Sequence, residues 1–426
     1  MSPTDVPAEV NHSSGPPQDP QLRGLSPVSA GKRIVSLDVL RGFAVLGILV
    51  MNIQAFSMII AAYFNPTAYG DLQGANFWVW LLSHVFADQK FMTIFSMLFG
   101  AGIVLMWQRA QAVGRKSTGL HYRRMLWLII FGLMHAYLIW SGDILFTYGF
   151  CGLFVYWFRK LRPTTLLIVG LIILSVSPAL SLMAGYTMPL WPEENVRQME
   201  SDFWRLPPEK LAEEIANYQG SWSQQMQSRV PASLGMHTGA LLTWAFWRAG
   251  GLMLIGMALF KLGVFSAARS RRFYWACIGL AVAIGIPAVI YGVHRNFAEE
   301  WHVSRFFLGA QYNYWGSLLV SMGWVSIVML ACKSDILQRA RQALGAVGRM
   351  ALTNYMMHTL ICTTIFYGHG FGYFGQVSRV GQIFIVLAVW AFQIPFSVIW
   401  LRHFRFGPFE WLWRTLSYLK LQPMRA

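Results

Sequence analysis

Long apolar stretches separated by short polar connections dominate the chain, near residues 34–60, 77–108, 122–141, 144–158, 164–185, 238–263, 273–293, 307–332, 350–367 and 381–401. A helix needs about 20 apolar residues to cross the hydrocarbon core of a bilayer, and soluble strands are far shorter, so stretches of this length predict helices. The pattern therefore predicts an all-α fold, a polytopic membrane helix bundle of about ten transmembrane helices. One stretch, 77–108, is too long for a single crossing and carries Asp88-Gln89-Lys90 in its middle. It reads as a short interfacial or re-entrant piece over 77–87 followed by the true span over 91–108.

The polar pattern divides the rest. Residues 1–32 are rich in Pro, Ser and Gly and read as a disordered cytoplasmic tail, with no cleavable signal peptide before the first span. The transmembrane bundle is expected over 33–401, with its longest external loop at 186–237, and residues 402–426 form a cytoplasmic tail whose aromatic and basic side chains suit a membrane interface. Within the external loop, Pro207 to Tyr218 has proline in a helix-start position and apolar residues at helical spacing. That predicts a short amphipathic helix, either a lid over an external opening or part of a solvated hairpin.

Composition and charge refine this picture. The chain is 55% hydrophobic and only 12% charged, far from the roughly 25% charged residues of soluble proteins. Its net charge of +16 would suggest nucleic acid in a soluble protein. Here ten crossings sort the basic residues, 24 to the side of the termini and 9 to the other, with Arg41 inside the first span. Positive-inside orientation accounts for the charge, places both termini in the cytoplasm and leaves no reason to invoke nucleic acid. The four cysteines lie in apolar segments without metal-type spacing, so neither a disulfide framework nor a metal site is expected. No internal repeat is evident, and oligomeric state cannot be read.

Polar residues inside apolar spans are costly and mark candidate sites. The first span carries Asp38, Arg41 and Asn52, three and eleven residues apart. At about 100° per residue they share one face, which extends roughly 21 Å at 1.5 Å per residue. Either they line a path from the start of the span to its far half, or Asp38 and Arg41 form a buried pair and Asn52 joins helices. His135 precedes Asp143 across a Ser141-Gly142 turn, an arrangement that suits a carboxylate-oriented general base or a structural histidine. His84 and Asp88 are four apart on one helical turn, with Lys90 next to them as a possible holder of an anionic group. Gly348-Arg349 opens a further span in which Asn354 and His358 share a face, polar enough to line a cavity or to tie helices together. The glycine-rich stretch 368–375 matches no nucleotide-binding fingerprint, and no phosphate loop, His-Glu-x-x-His site or nucleophile elbow occurs.

Five motifs in chain order, Ser36-Leu-Asp38-Val-Leu-Arg41-Gly42, Phe95-Ser-Met-Leu-Phe-Gly100-Ala-Gly102, Gly142-Asp143-Ile-Leu, Gly348-Arg349-Met-Ala-Leu-Thr-Asn354-Tyr355 and Phe406-Gly407-Pro408-Phe409-Glu410-Trp411, resemble the bacterial membrane family called domain of unknown function 418, or YeiB-like proteins. The first helix is more distantly similar to transmembrane acyltransferases, which share an Asp-x-x-Arg-Gly start and a polar residue eleven beyond the arginine. The resemblance implies a multi-pass protein of the bacterial inner membrane. It would move an acyl group from a cytoplasmic acyl-CoA or acetyl-CoA donor to a hydroxyl or amine of an envelope glycan or lipid. Under it Asp38, Arg41, His84, Asp88, Lys90, Arg349, Asn354 and His358 bind donor or substrate, and His135, Asp143 and Asn52 carry the chemistry. Asn52 stands where many O-acyltransferases have histidine, so the base would be His135 or His84. Two other classes fit the same residues: a transporter of a small or lipid-like molecule, and a non-catalytic partner of envelope machinery.

Overall fold

A computed structural model describes residues 34–334 and 336–425, so the tail expected at 1–32 lies outside the described residues. Those described fold as helices, with no strand beyond one isolated bridge between Phe404 and Arg425. In chain order the helices are α1 (Val35–Ser57), α2 (Ile60–Phe64), α3 (Gly74–Phe86), α4 (Lys90–Ala112), α5 (Thr118–Leu138), α6 (Leu145–Val155), α7 (Pro163–Thr187), α8 (Glu193–Met199), α9 (Pro208–Gln219), α10 (Trp222–Gly235), α11 (Phe246–Lys261), α12 (Arg271–Leu280), α13 (Ile286–Ala298), α14 (Phe306–Cys332), α15 (Gln338–Arg349), α16 (Ala351–Phe366), α17 (Arg379–His403) and α18 (Pro408–Tyr418). A π-helical segment, Met236–Ala245, joins α10 to α11 without a break.

Among the described residues, seven helical stretches are long and apolar enough to cross a membrane: Val35–Ser57, Gly74–Ala112, Pro163–Leu190, Trp222–Lys261, Arg271–Ala298, Val303–Cys332 and Arg379–His403. The molecule is a multi-pass membrane protein. The other three expected spans correspond to α5, α6 and α16. The last two hold 11 and 16 residues, below the length of a simple crossing. The break in the second stretch falls at Asp88, where Gln89 takes a left-handed conformation (φ 62°) and Lys90 opens α4.

Glycines set the closest helix contacts, as expected where apolar side chains gain nothing by leaving lipid. A Cβ on Gly348 of α15 would lie 1.8 Å from the Asp38 carbonyl oxygen of α1, and one on Gly100 of α4 would lie 1.9 Å from the Met253 carbonyl oxygen of α11. Both seams are backbone on backbone.

The segment 186–237, expected as an external loop, packs onto the bundle. Its helix α9 matches the expected position, and Tyr218 at its end stacks on Phe374 at 4.5 Å. The Gly368 N–H donates to the Tyr218 carbonyl at 2.9 Å, and Gln219 Nε2 donates to the Phe374 carbonyl at 2.7 Å. From α10, Arg229 Nη1 and Trp222 Nε1 both donate to the Leu138 carbonyl at 2.8 Å, satisfying an orphan acceptor at the end of α5. At the other end of the chain, Glu410 is buried and accepts hydrogen bonds from the N–H groups of Leu352 and Thr353 at 2.6 and 3.0 Å. It thereby caps the start of α16, a role in which a negative charge meets the positive end of a helix dipole.

Candidate active site cavity

The face of α1 that carries Asn52 opens on an internal cavity of about 1150 Å³. Ile48, Met51, Asn52 and Ala55 line it at the three- and four-residue spacing of one helix stripe. Trp80, His84 and Asp88, spaced by four along α3 and its following turn, form another wall. A third comes from Trp140 to Ile144, and the docked external segment contributes Asp202, Lys210, Glu213 and Glu214. Burial raises the Glu214 carboxyl above its ordinary value, whereas a hydrogen bond from Lys210 holds Asp202 below it.

His84 and Asp88 meet as their spacing requires, with Nδ1 to Oδ2 at 3.3 Å, and the imidazole stacks on Trp80 at 5.4 Å. Asp88 is held from three directions. Asn313 Nδ2 donates to its Oδ2 at 2.7 Å, Tyr63 donates to its Oδ1 at 3.2 Å, and His84 supplies the third contact. With the carboxylate against Nδ1, a neutral ring would carry its proton there and keep the Nε2 lone pair for a reactant. No described residue bonds to His84 Nε2.

Lys90 was the third member of this trio in the sequence, but it turns inward. Its Nζ donates to the His84 carbonyl at 2.7 Å and to Asn313 Oδ1 at 2.6 Å, and the residue is fully buried behind the wall. Nearby, Arg248 is equally buried, donating to Ser317 Oγ at 2.8 Å and Thr93 Oγ1 at 3.1 Å with its guanidinium 4.3 Å from the Tyr314 ring centre. Arg248, Lys90 and Arg229 are three of the nine basic residues sorted to the side opposite the termini, and all three are instead buried in the protein. Arg248, Asn313 and Tyr63 escaped the sequence reading of the site. An arginine inside the apolar run 238–263 was the available signal for the first.

His135 and Asp143 also pair, Nδ1 to Oδ1 at 2.8 Å, but the imidazole is enclosed. Its Nε2 lies 2.9 Å from Thr359 Oγ1, and the second Asp143 oxygen accepts from the Phe146 N–H at 2.7 Å. Only Asp143 of this pair lines the cavity. Asn52 also lines it, and no hydrogen bond from a described residue occupies its amide.

The other sequence candidates stand elsewhere. Arg41 donates to Asp38 at 2.8 Å, and this pair is separated from the cavity stripe by Ala44 and Val45, both fully buried. Seven helical steps, about 10 Å, separate Arg41 from Ile48, and neither Asp38 nor Arg41 lines the cavity. Asn354 ties its own helix start to α17 through Ser397 Oγ at 3.0 Å, and His358 Nε2 meets Gln393 Oε1 at 2.8 Å. Arg349 closes α15. Among the described residues, none beyond Tyr314 reaches the cavity.

Fold and site together define a multi-pass α-helical membrane protein with a large internal cavity walled in part by a carboxylate-paired imidazole. The chain belongs to the family described as protein of unknown function (DUF418), whose model matches residues 259–420. It is 33% identical over 397 residues to the uncharacterized protein YeiB of Escherichia coli strain K12, covering 91% of this chain and 96% of that protein. It is also 33% identical over 427 residues to the uncharacterized protein YxaH of Bacillus subtilis strain 168, covering 95% and 98%. An uncharacterized 39.9 kDa protein from the amylase 3′ region of Bacillus acidopullulyticus is 25% identical over 401 residues. No solved structure shows significant similarity to the chain.

Proposed function

We propose that this protein is an acyltransferase of the bacterial cytoplasmic membrane, transferring an acyl group to a hydroxyl or amine of an envelope glycan or lipid. The observation that carries this reading is His84, held by Asp88 at 3.3 Å on the wall of the cavity with its second nitrogen free. An imidazole in that state takes the proton of an attacking hydroxyl or amine and returns it to the leaving group, a contribution of about 10²–10⁴-fold. The Asn52 amide supplies a donor for the oxygen of the reacting carbonyl, where negative charge develops. A cavity larger than the roughly 300–1,000 Å³ of ordinary ligand sites has room for two reactants. Full-length protein in proteoliposomes, supplied with labelled acyl donors and an envelope lipid and glycan extract, should label an acceptor. His84→Ala should abolish that labelling while leaving the protein folded, and equal labelling by the variant would remove His84 from the chemistry.

A carrier is the second reading, favoured by the buried cluster of Asp88, Lys90 and Arg248, since intramembrane charges often mark transport pathways. Accumulation of an envelope solute in sealed vesicles, driven by an ion gradient without an acyl donor, would establish it in place of the first.

A further inference from the structure

The elements α7 and α11 are in backbone contact low in the bundle. A Cβ on Gly251 would fall 2.7 Å from the Gly170 carbonyl oxygen and 2.8 Å from the Leu174 nitrogen. Beyond this point α7 and the π-helical segment that precedes α11 both line the cavity, Ser177, Ser181 and Ala184 on one side and Ala240, Thr243 and Trp244 on the other. Pro178 has no N–H to give to the α7 ladder, and the opposite wall is the wide-turned π-helical segment that follows α10, itself containing Pro231. Both elements belong to stretches apolar enough to span a membrane, and only 28% of the most apolar window of α7 is buried. The outward apolar face of α7 is therefore suited to hydrocarbon.

The same cavity is unsuited to a donor from the other side. No described residue of α1 before Ile48 lines it, and its lining carries Asp88, Asp143, Asp202, Glu213 and Glu214 against Lys210 and Arg305. Counting Lys90 and Arg248 behind the wall still leaves carboxylates in excess. Multiply phosphorylated CoA would meet like charge there.

We infer that the acyl donor is a glycerolipid of the surrounding bilayer, which enters sideways through the cleft between α7 and the π-helical segment. This rests on the acyl-transfer reading above. The acceptor oxygen or nitrogen attacks the ester carbonyl of the lipid, forming a new bond to the acyl carbon. The bond from that carbon to the glycerol oxygen breaks, and His84 passes the acceptor's proton to this oxygen. The products are an acylated acceptor and a lysolipid, and no further reactant is needed.

The test uses full-length protein in vesicles of phosphatidylethanolamine and phosphatidylglycerol whose acyl chains carry a photoactivatable group and, in parallel, a radiolabel. Irradiation should give adducts on 177–184 and 236–244. These should be lost in Ala240→Trp and in Ala184→Trp, while adducts at the outward-facing Leu387 persist as a folding control. Labelled lysolipid and labelled acceptor should appear together without CoA. Adducts confined to outward positions, or labelling only from acyl-CoA, overturn the inference and leave the acyl-transfer reading standing. Cleft adducts with no acyl label moved from either lipid or acyl-CoA overturn that reading and the donor role with it.

Discussion

His135 Nε2 lies 2.9 Å from Thr359 Oγ1, and this contact decides what the histidine does. The opposite nitrogen is 2.8 Å from Asp143, and the side chain has no solvent exposure. A ring with both nitrogens committed joins α5, the turn before α6 and α16. We expect it to hold these elements together rather than to take up a substrate proton. Thr359→Val removes one hydrogen bond and leaves a buried nitrogen unsatisfied, at a cost of about 1–3 kcal/mol. The expected result is a lower unfolding midpoint in detergent with an unchanged pH profile of acyl transfer. A shifted profile would show that His135 titrates in the reaction.

Asp88→Asn tests the other pair. An amide keeps the size of the side chain but loses the charge that fixes the proton on His84 Nδ1, and it leaves Lys90 and Arg248 without their nearby carboxylate. Removing one partner of a buried charged group costs about 3–5 kcal/mol. The variant should therefore lose both stability and acyl transfer, whereas His84→Ala should lose chiefly the second. Thermal unfolding followed by tryptophan fluorescence, beside the transfer assay, separates the two effects. If Asp88→Asn unfolds at the wild-type temperature, the buried cluster is not held by that carboxylate.

Much of this arrangement was legible in local spacing. A spacing of four puts His84 and Asp88 on one turn, and the polar break at 88–90 did divide two helices. What local spacing cannot show is the neighbour. Asn313 reaches Asp88 from 225 positions away, and that contact, with the His84 carbonyl, draws Lys90 inward. Asp38, Arg41 and Asn52 share a helical face, yet buried Ala44 and Val45 lie between the pair and the cavity. The external segment docks through Tyr218 and Phe374, brought together from distant parts of the chain, and hydropathy alone carries no trace of that pairing.

Glu214 makes the docking of that segment depend on pH. Burial raises its carboxyl above the ordinary value of 4.5, an effect larger than the opposing hydrogen bond from the Ile60 N–H at 3.3 Å. A carboxyl raised in the docked state contributes fully below pH 4.5, and its contribution is lost as pH rises through the raised value. Asp202 shifts the other way and is already ionised over this interval. Amide exchange in 208–219, corrected for its intrinsic pH dependence, should therefore show protection falling as pH rises from 4.5. Glu214→Gln should flatten the dependence. Protection independent of pH in the wild type would refute the assignment.

The seam at the N-terminal end of α1 can be tested by adding single methyl groups. A Cβ on Gly348 would sit 1.8 Å from the Asp38 carbonyl oxygen and 2.7 Å from the Gly42 nitrogen. Both obstacles are backbone, so Gly348→Ala forces α15 away from α1, and overpacking of this kind costs about 1–3 kcal/mol. Gly345, three residues earlier on the same helix, is the control, because a Cβ there meets only Val39 Cγ2 at 3.8 Å. Without a clash, Gly345→Ala keeps only the gain in helix propensity, up to about 1 kcal/mol. Thermal unfolding in detergent should rank Gly348→Ala below wild type and Gly345→Ala level with it or above. Equal losses in the two variants would mean that α15 responds to any added bulk and that the seam at Asp38 has no special closeness.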